Sequence, residues 1–271
     1  MIYVQDLWPE NLQVLAGVKS KIIIKIINRM VDKIYTNADR ILVTSNSFRN
    51  SVLNRGIAED KCKVWFQYAE DFYKPLKTIY RESNEILKII FTGNIGEAQG
   101  LEILPKVSLI LDKYGYKDKV KFIIVGDGRN KENLLSQISI LNTSDMFEFF
   151  SSIPANQVPD MLSKADVAFV SFLNNDLFMK TIPAKLQSYM ACGMPILAVS
   201  GGETENIISV ANCGLNSQPD DVESLANNII RFLASSKEDL IEMSKNSLKY
   251  YKNNFDKYDL LSQFDNIIKE I

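Results

Sequence analysis

The sequence predicts an α/β protein built on a parallel sheet. Short apolar runs rich in Val, Ile and Phe alternate with segments of helical periodicity. Those runs are apolar on both faces, as strands are when helices cover a sheet on each side. Glycine turns at residues 93–96 and 126–128 stand where two of the runs end. Ligands of such sheets bind outside the carboxyl ends of the strands.

Each element follows from the same patterns. A short strand at residues 2–5 opens the chain. Residues 18–35 form a helix, with Ile23, Ile26, Ile27, Met30 and Ile34 at helical spacing and Lys21, Lys25, Arg29 and Lys33 largely opposite. It reads first as a helix covering a sheet face, and second as a basic amphipathic helix lying on an anionic bilayer. A strand at 41–44, a helix at 47–55 and a strand near 63–66 follow. Residues 68–83 are polar and irregular, hold Pro75 and read as a linker. The second series has strands at 87–91, 120–125, 146–149, 167–171 and 195–199, separated by helices. These include a helix ending near 111, one at 156–163, a short one at 184–190 and one at 206–210. Helices at 222–233 and 237–254 close the chain. No internal repeat or low-complexity stretch interrupts the order.

With 271 residues, the chain has room for one large or two ordinary α/β domains. Its net charge of −2 gives no basic excess for nucleic acid. Cys62, Cys192 and Cys213 are far apart and form no CxxC pair, which suits reduced thiols in a cytoplasm. The absence of histidine removes Ser-His-Asp, Cys-His and His-metal chemistry. No metal is expected. Nothing in the sequence reads as a secretion signal or as an apolar run of about 18 residues, so the expected location is cytoplasmic, with peripheral contact at the membrane face through residues 18–35 held open.

Four segments carry candidate chemistry. Gly93-Asn94-Ile95-Gly96 has the form of a phosphate turn, in which glycine aims N–H groups and a helix N-terminus at an anion. The same turn also serves as a plain strand-to-helix connection. Gly126-Asp127-Gly128 is a lone G-x-G, with Asp127 a candidate cap for the next helix. In the segment from Lys180 to Pro195, Pro183 is placed like a first helical residue, with Thr181 or Ile182 at the cap. Lys185 falls in the first turn, where the helix dipole disfavours a cation. A phosphate at the helix start would account for it; so would a solvated position. Gly193 and Pro195 end that helix. In Gly201-Gly202-Glu203-Thr204-Glu205 the glutamates are either first-turn dipole partners or hold a sugar hydroxyl.

In order, these segments resemble the retaining GT-B glycosyltransferases of family four, above all its capsule and lipopolysaccharide branch of fucosaminyl- and N-acetylglucosaminyl-type transferases. Asp6-Leu7-Trp8-Pro9-Glu10 is similar to that branch's DLWPE motif, and Ala38-Asp39-Arg40-Ile41 with Thr44-Ser45 to the strand that follows. Ala69-Glu70-Asp71 precedes the interdomain linker. Residues 93–100 resemble its GNIG-x-x-QG turn, 125–128 its VGDG, 182–195 its IPAKLQSYMACG-x-P block, and Gly202-Glu203-Thr204 its GET. The resemblance implies a remnant of an N-terminal Rossmann-like domain over 1–80 and a complete C-terminal Rossmann-like, donor-binding domain over 81–245. A C-terminal helix within 246–271 would cross back toward the first domain. Asn94 and Gln99 stand where the wider family has Arg and Lys, and Lys180 and Ser188 where it has glutamates. Lys180 or Lys185 would then replace the missing phosphate cations. The family's earlier strands, with its acceptor site and catalytic histidine, are not in this sequence, which implies a fragment or a second polypeptide.

The resemblance implies transfer of a sugar from a nucleotide donor, UDP first, to a hydroxyl of a lipid-linked glycan with retention, in bacterial surface-polysaccharide synthesis without a cofactor. It places Gly93, Asn94, Ile95, Gly96, Lys180 and Lys185 at the donor phosphates. Gly126, Asp127, Gly128, Pro154 and Ser188 would lie by the nucleoside, and Gly202, Glu203 and Thr204 by the donor sugar. No catalytic residue is assigned. Alternatives are a donor-binding module inactive by itself and a GT-B epimerase, which the missing histidines disfavour. A nicotinamide dehydrogenase would need the absent GxGxxG.

Overall fold

The computed structural model describes all residues except 16, 78, 79, 83, 84 and 271. Two parallel sheets form. The first has strands β1 (Ile2–Val4), β2 (Ile41–Val43) and β3 (Cys62–Val64) in that order. Helices α1 (Glu10–Leu15), α2 (Lys21–Asn37) and α3 (Asn46–Leu53) connect them. Ser20 and Ser45 cap α2 and α3, accepting from the N–H groups of Ile23 and Phe48.

Helix α2 corrects the expected packing. Ile27, Val31 and Tyr35, one i, i+4 row, meet the sheet. Ile23, Ile26, Met30 and Ile34 are instead 47%, 52%, 58% and 49% exposed. The apolar arc of this helix is wider than the strip that a three-stranded sheet covers, so its outer half faces away.

The second sheet has strands β4 (Leu87–Thr92), β5 (Val120–Val125), β6 (Phe147–Phe150), β7 (Val167–Ser171), β8 (Ile196–Val199) and β9 (Gly214–Ser217). Their order is β6-β5-β4-β7-β8-β9, all parallel, and it reverses between β4 and β7. Successive residues of β4 serve opposite faces: Ile89 and Phe91 join one core with Phe122 and Phe232, while Ile90 joins the other with Val170 and Tyr189. This is why β4 runs apolar from Ile89 to Phe91.

The helices that follow are α4 (Ile103–Lys113), α5 (Lys131–Ile140), α6 (Val158–Leu162), α7 (Asp176–Met179), α8 (Ala184–Ala191), α9 (Gly202–Ala211), α10 (Val222–Ala234) and α11 (Lys237–Asn254). All but α7 cover this sheet, while α7 buries Leu177 and Phe178 in the core of the first. Helix α12 (Lys257–Lys269) continues past residue 254, where the pattern suggested a close. Helix α11 itself runs unbroken through residues 245 and 246.

The linker is tied to the second sheet on both sides of residues 78 and 79, which lie outside the described residues along with 83 and 84. A sealed ion pair joins Lys77 and Asp166 at 3.0 Å, and Arg81 donates to the carbonyls of Phe232 and Leu233 at 2.8 and 2.9 Å. Helix α12 lies against the first sheet instead: Trp65 Nε1 donates to the Leu260 carbonyl at 2.7 Å and its ring packs on Phe264. Among the described residues no helix is long and apolar enough to cross a membrane.

Candidate functional site

The site forms where β4 and β5 end. Their exit loops are stitched together: Gly93 N–H donates to the Val125 carbonyl at 2.9 Å, Ile95 N–H to Asp127 at 2.8 Å, and Asn130 N–H to Ile95 at 3.0 Å. Glycine is required at two points of this contact. A Cβ on Gly126 (φ 148°) would lie 1.9 Å from the Gly93 carbonyl oxygen, and one on Gly128 (φ 159°) 2.3 Å from that of Ile95. Both glycines therefore make room for backbone, and Asp127 bonds locally, accepting from Gly128 N–H and pairing with Lys131 at 3.7 Å.

The same geometry engages three N–H groups of the expected phosphate turn. The N–H groups of Gly93 and Ile95 are engaged as above, and that of Gly96 donates to Gln99 Oε1 at 3.1 Å. Helix α4 starts only at Ile103, and what Gly96 caps is a single 3₁₀ turn over Glu97–Gln99. The Ile95 side chain is fully buried in the core, while Asn94 is exposed. What the turn offers a ligand is the exposed surface of Gly93 and Asn94.

Opposite Gly93 stands helix α8. Pro183 is its cap residue rather than its first helical one, and Lys185 lies in the first turn as expected. Part of the Lys185 stem is exposed, but its Nζ is closed off from solvent, 3.8 Å from the centre of the Phe91 ring. It has no hydrogen-bond partner among the described residues. Burial pulls its pKa down to about 7. A Cβ on Gly93 would sit 3.8 Å from this nitrogen.

Between these elements lies a cavity of about 310 Å³, within the range of small-ligand sites. It brings together Gly93, Gly126, Lys185 and Ser188 of the expected residues. It adds Tyr73, Thr92, Ser152, Ile153 and Tyr189, none of them predicted. Tyr189 was recoverable, since Lys185, Ser188 and Tyr189 share a helix face at i, i+3, i+4. Its buried hydroxyl, pushed up to about 12, accepts from Thr92 N–H at 2.8 Å and so fixes the end of β4. Tyr73 carried no signal, because it comes from the irregular linker; burial raises its pKa, opposed by a hydrogen bond with Ser188. Pro154 sits between the lining residues Ile153 and Ala155 without lining the cavity itself.

The remaining expected residues form a joint outside that cavity. The Lys180 carbonyl accepts from Ser45 Oγ at 2.6 Å. Gly202 (φ 63°) abuts the Met179 carbonyl, and buried Thr204 donates to the Thr181 carbonyl at 3.3 Å. Glu203 Oε1 accepts from Ser47 N–H at 2.6 Å, capping α3 from across the molecule. Among the described residues the cavity has no carboxylate lining, and no His/Cys/Asp/Glu group is placed to hold a metal.

Residues 76–250, more than half of the chain, match the glycosyl transferases group 1 family. The chain belongs to that family. Among curated relatives of this group 1 glycosyltransferase chain is WbjE of Pseudomonas aeruginosa, named as a probable glycosyltransferase, 29% identical over 83% of the chain. Another, WcaI of Escherichia coli K12, named for colanic acid biosynthesis, is 24% identical over 86%. The chain spans 58% of the length of each. HepE of Anabaena, solved with UDP-glucose, matches with a TM-score of 0.75 at 16% identity, over 99% of this chain and 71% of its own. At that identity the likeness establishes the fold alone: the group 1 chain has the Rossmann-like sheets of GT-B glycosyltransferases.

Proposed function

We propose that the cavity beside Lys185 holds the diphosphate of a nucleotide sugar, UDP-linked, for transfer of a hexosyl or N-acetylhexosaminyl group to a lipid-linked glycan with retention, in surface-polysaccharide synthesis. The observation that carries this is the sealed, unpartnered Nζ of Lys185 facing the bare surface of Gly93. Buried amines are ordinarily paired, so one left open beside a cavity marks the place of an anion. Lys185 stands in for the cations missing at Asn94 and Gln99. The UDP-glucose bound by HepE supports the ligand class.

In the proposed transfer, the acceptor oxygen bonds to the anomeric carbon as its bond to the diphosphate breaks, and the leaving diphosphate takes the acceptor's proton. Stabilising charge on the diphosphate is then the main task of the protein, which Lys185 performs without a metal. Among the described residues no carboxylate lines the cavity, which suits this route, in which the substrate is the base. Residues 1–80 would form part of the acceptor-side domain, completed in cis or in trans, with α2 near the bilayer that holds the acceptor. A second reading, a donor-binding module that turns nothing over by itself, is favoured by the outer edge of β1, which pairs with no strand among the described residues.

Thermal unfolding with millimolar UDP, GDP, ADP or CDP, with and without magnesium, tests the site. A ligand at 100 times its dissociation constant adds about 2.7 kcal/mol, a shift of several degrees for a chain of this size. UDP alone is expected to raise the midpoint, magnesium to add nothing, and Lys185→Met to abolish the shift. No shift with any nucleotide would overturn the assignment.

A further inference from the structure

Among the described residues, Lys185 has no group beside it that would keep an ammonium charged in an empty site. Its Nζ touches the face of Phe91, from β4, and is closed off from water. Besides Lys185, the titratable side chains lining the cavity are Tyr73, from the linker, and Tyr189, from α8; burial keeps both hydroxyls protonated and neutral. The lining residues contributed by β4 and its exit turn, by β5, by the loop after β6 and by α6 carry no charge at all. A ring face returns only part of the hydration that a buried ammonium loses.

Resting on the diphosphate reading above, we propose that Lys185 stands as a neutral amine in the unliganded protein and takes up a proton when a nucleotide sugar binds, so that donor affinity is set by pH. The balance is simple. One proton leaves the solvent and joins the Nζ lone pair, and the ammonium so formed faces the negative oxygens of the diphosphate. No other bond changes.

The sign follows from the two states. Burial alone brings the empty-site pKa to about 7. A diphosphate against the nitrogen restores the charged form and moves the pKa back up. Between the two values the complex holds one proton more than its separated parts. Affinity therefore falls as pH rises above 7, by about tenfold per unit, until the pKa of the complex is reached. Both phosphates of a nucleotide sugar are diesters and do not titrate in this range, so the dependence belongs to the protein. Arginine stays charged throughout, and Lys185→Arg is expected to flatten the dependence.

Two measurements on the whole chain test this. Lysine labelled with carbon-13 at Cε gives the protonation state without any ligand: one resonance, absent in Lys185→Arg, should titrate near 7. Calorimetry with UDP-glucose and UDP-N-acetylglucosamine, in two buffers of different ionisation enthalpy, gives the protons taken up. About half a proton is expected at pH 7 and about 0.9 at pH 8. Binding with flat affinity from pH 6 to 9 and no uptake, or a Lys185 resonance titrating in the ordinary lysine range, would overturn the coupling and leave the diphosphate site standing. A resonance titrating near 7 with no binding of either probe even at pH 6 would overturn the diphosphate site, and the coupling with it.

Discussion

Gly126 shows how a glycine's purpose is decided by the backbone opposite it. The sequence places a G-x-G at the exit of a strand, where a ligand contact and a packing contact look alike. In the fold a Cβ at Gly126 would run into the Gly93 carbonyl at 1.9 Å. Gly126→Ala is therefore expected to cost about 1–3 kcal/mol, the range for a strained backbone position. It should appear as a lower urea midpoint at unchanged m-value, together with weaker donor binding as Gly93 is pushed aside. Lys185 was more legible, because a cation in the first turn of a helix conflicts with the dipole and invites an explanation. That its nitrogen would be sealed against Phe91 was not, since this depends on the rotamer and on a strand more than ninety positions away.

Elements were legible in proportion to their own periodicity. The strands of the second sheet stand out because both of their faces are buried. Strand β9 reads Gly214-Leu215-Asn216-Ser217, with no apolar run to announce it, and is a strand because β8 pairs with it. Helix α9 begins at Gly202 rather than at residue 206, which puts Glu203 in its first turn. There its carboxylate caps α3, so α9 and α3 share one residue across the two sheets. Glu203→Ala should remove that cap at a cost of about 1 kcal/mol, seen in chemical denaturation. A loss of donor affinity far larger than this would return Glu203 to the sugar.

For the molecule as a whole, the α/β class and the element order were readable, and the joints between the sheets were not. Those joints combine two polar contacts, Ser45 with Lys180 and Ser47 with Glu203, with Leu177 and Phe178 buried in the core of the first sheet, between segments with nothing in common in sequence. The outer face of α2 is a property of the same scale, because the three-stranded sheet reaches only one row of that helix. Ile26→Lys with Met30→Lys replaces two exposed side chains. Folding stability should change by less than about 0.5 kcal/mol per site, while self-association in sedimentation velocity should fall.

Trp65 gives the fold an order in time. Its indole N–H is satisfied by the Leu260 carbonyl, 195 positions along, and Lys63 reaches Glu270 across 207. The strands of the first sheet are synthesised before α12, and the surface around Trp65 stays uncovered until that helix has left the ribosome. At roughly 5–20 residues per second, the 195 positions between Trp65 and Leu260 leave many seconds in which the sheet waits for that helix. A ribosome stalled within α11 would thus hold out a nascent chain whose first sheet carries α2 and α3 but still lacks α12 over Trp65.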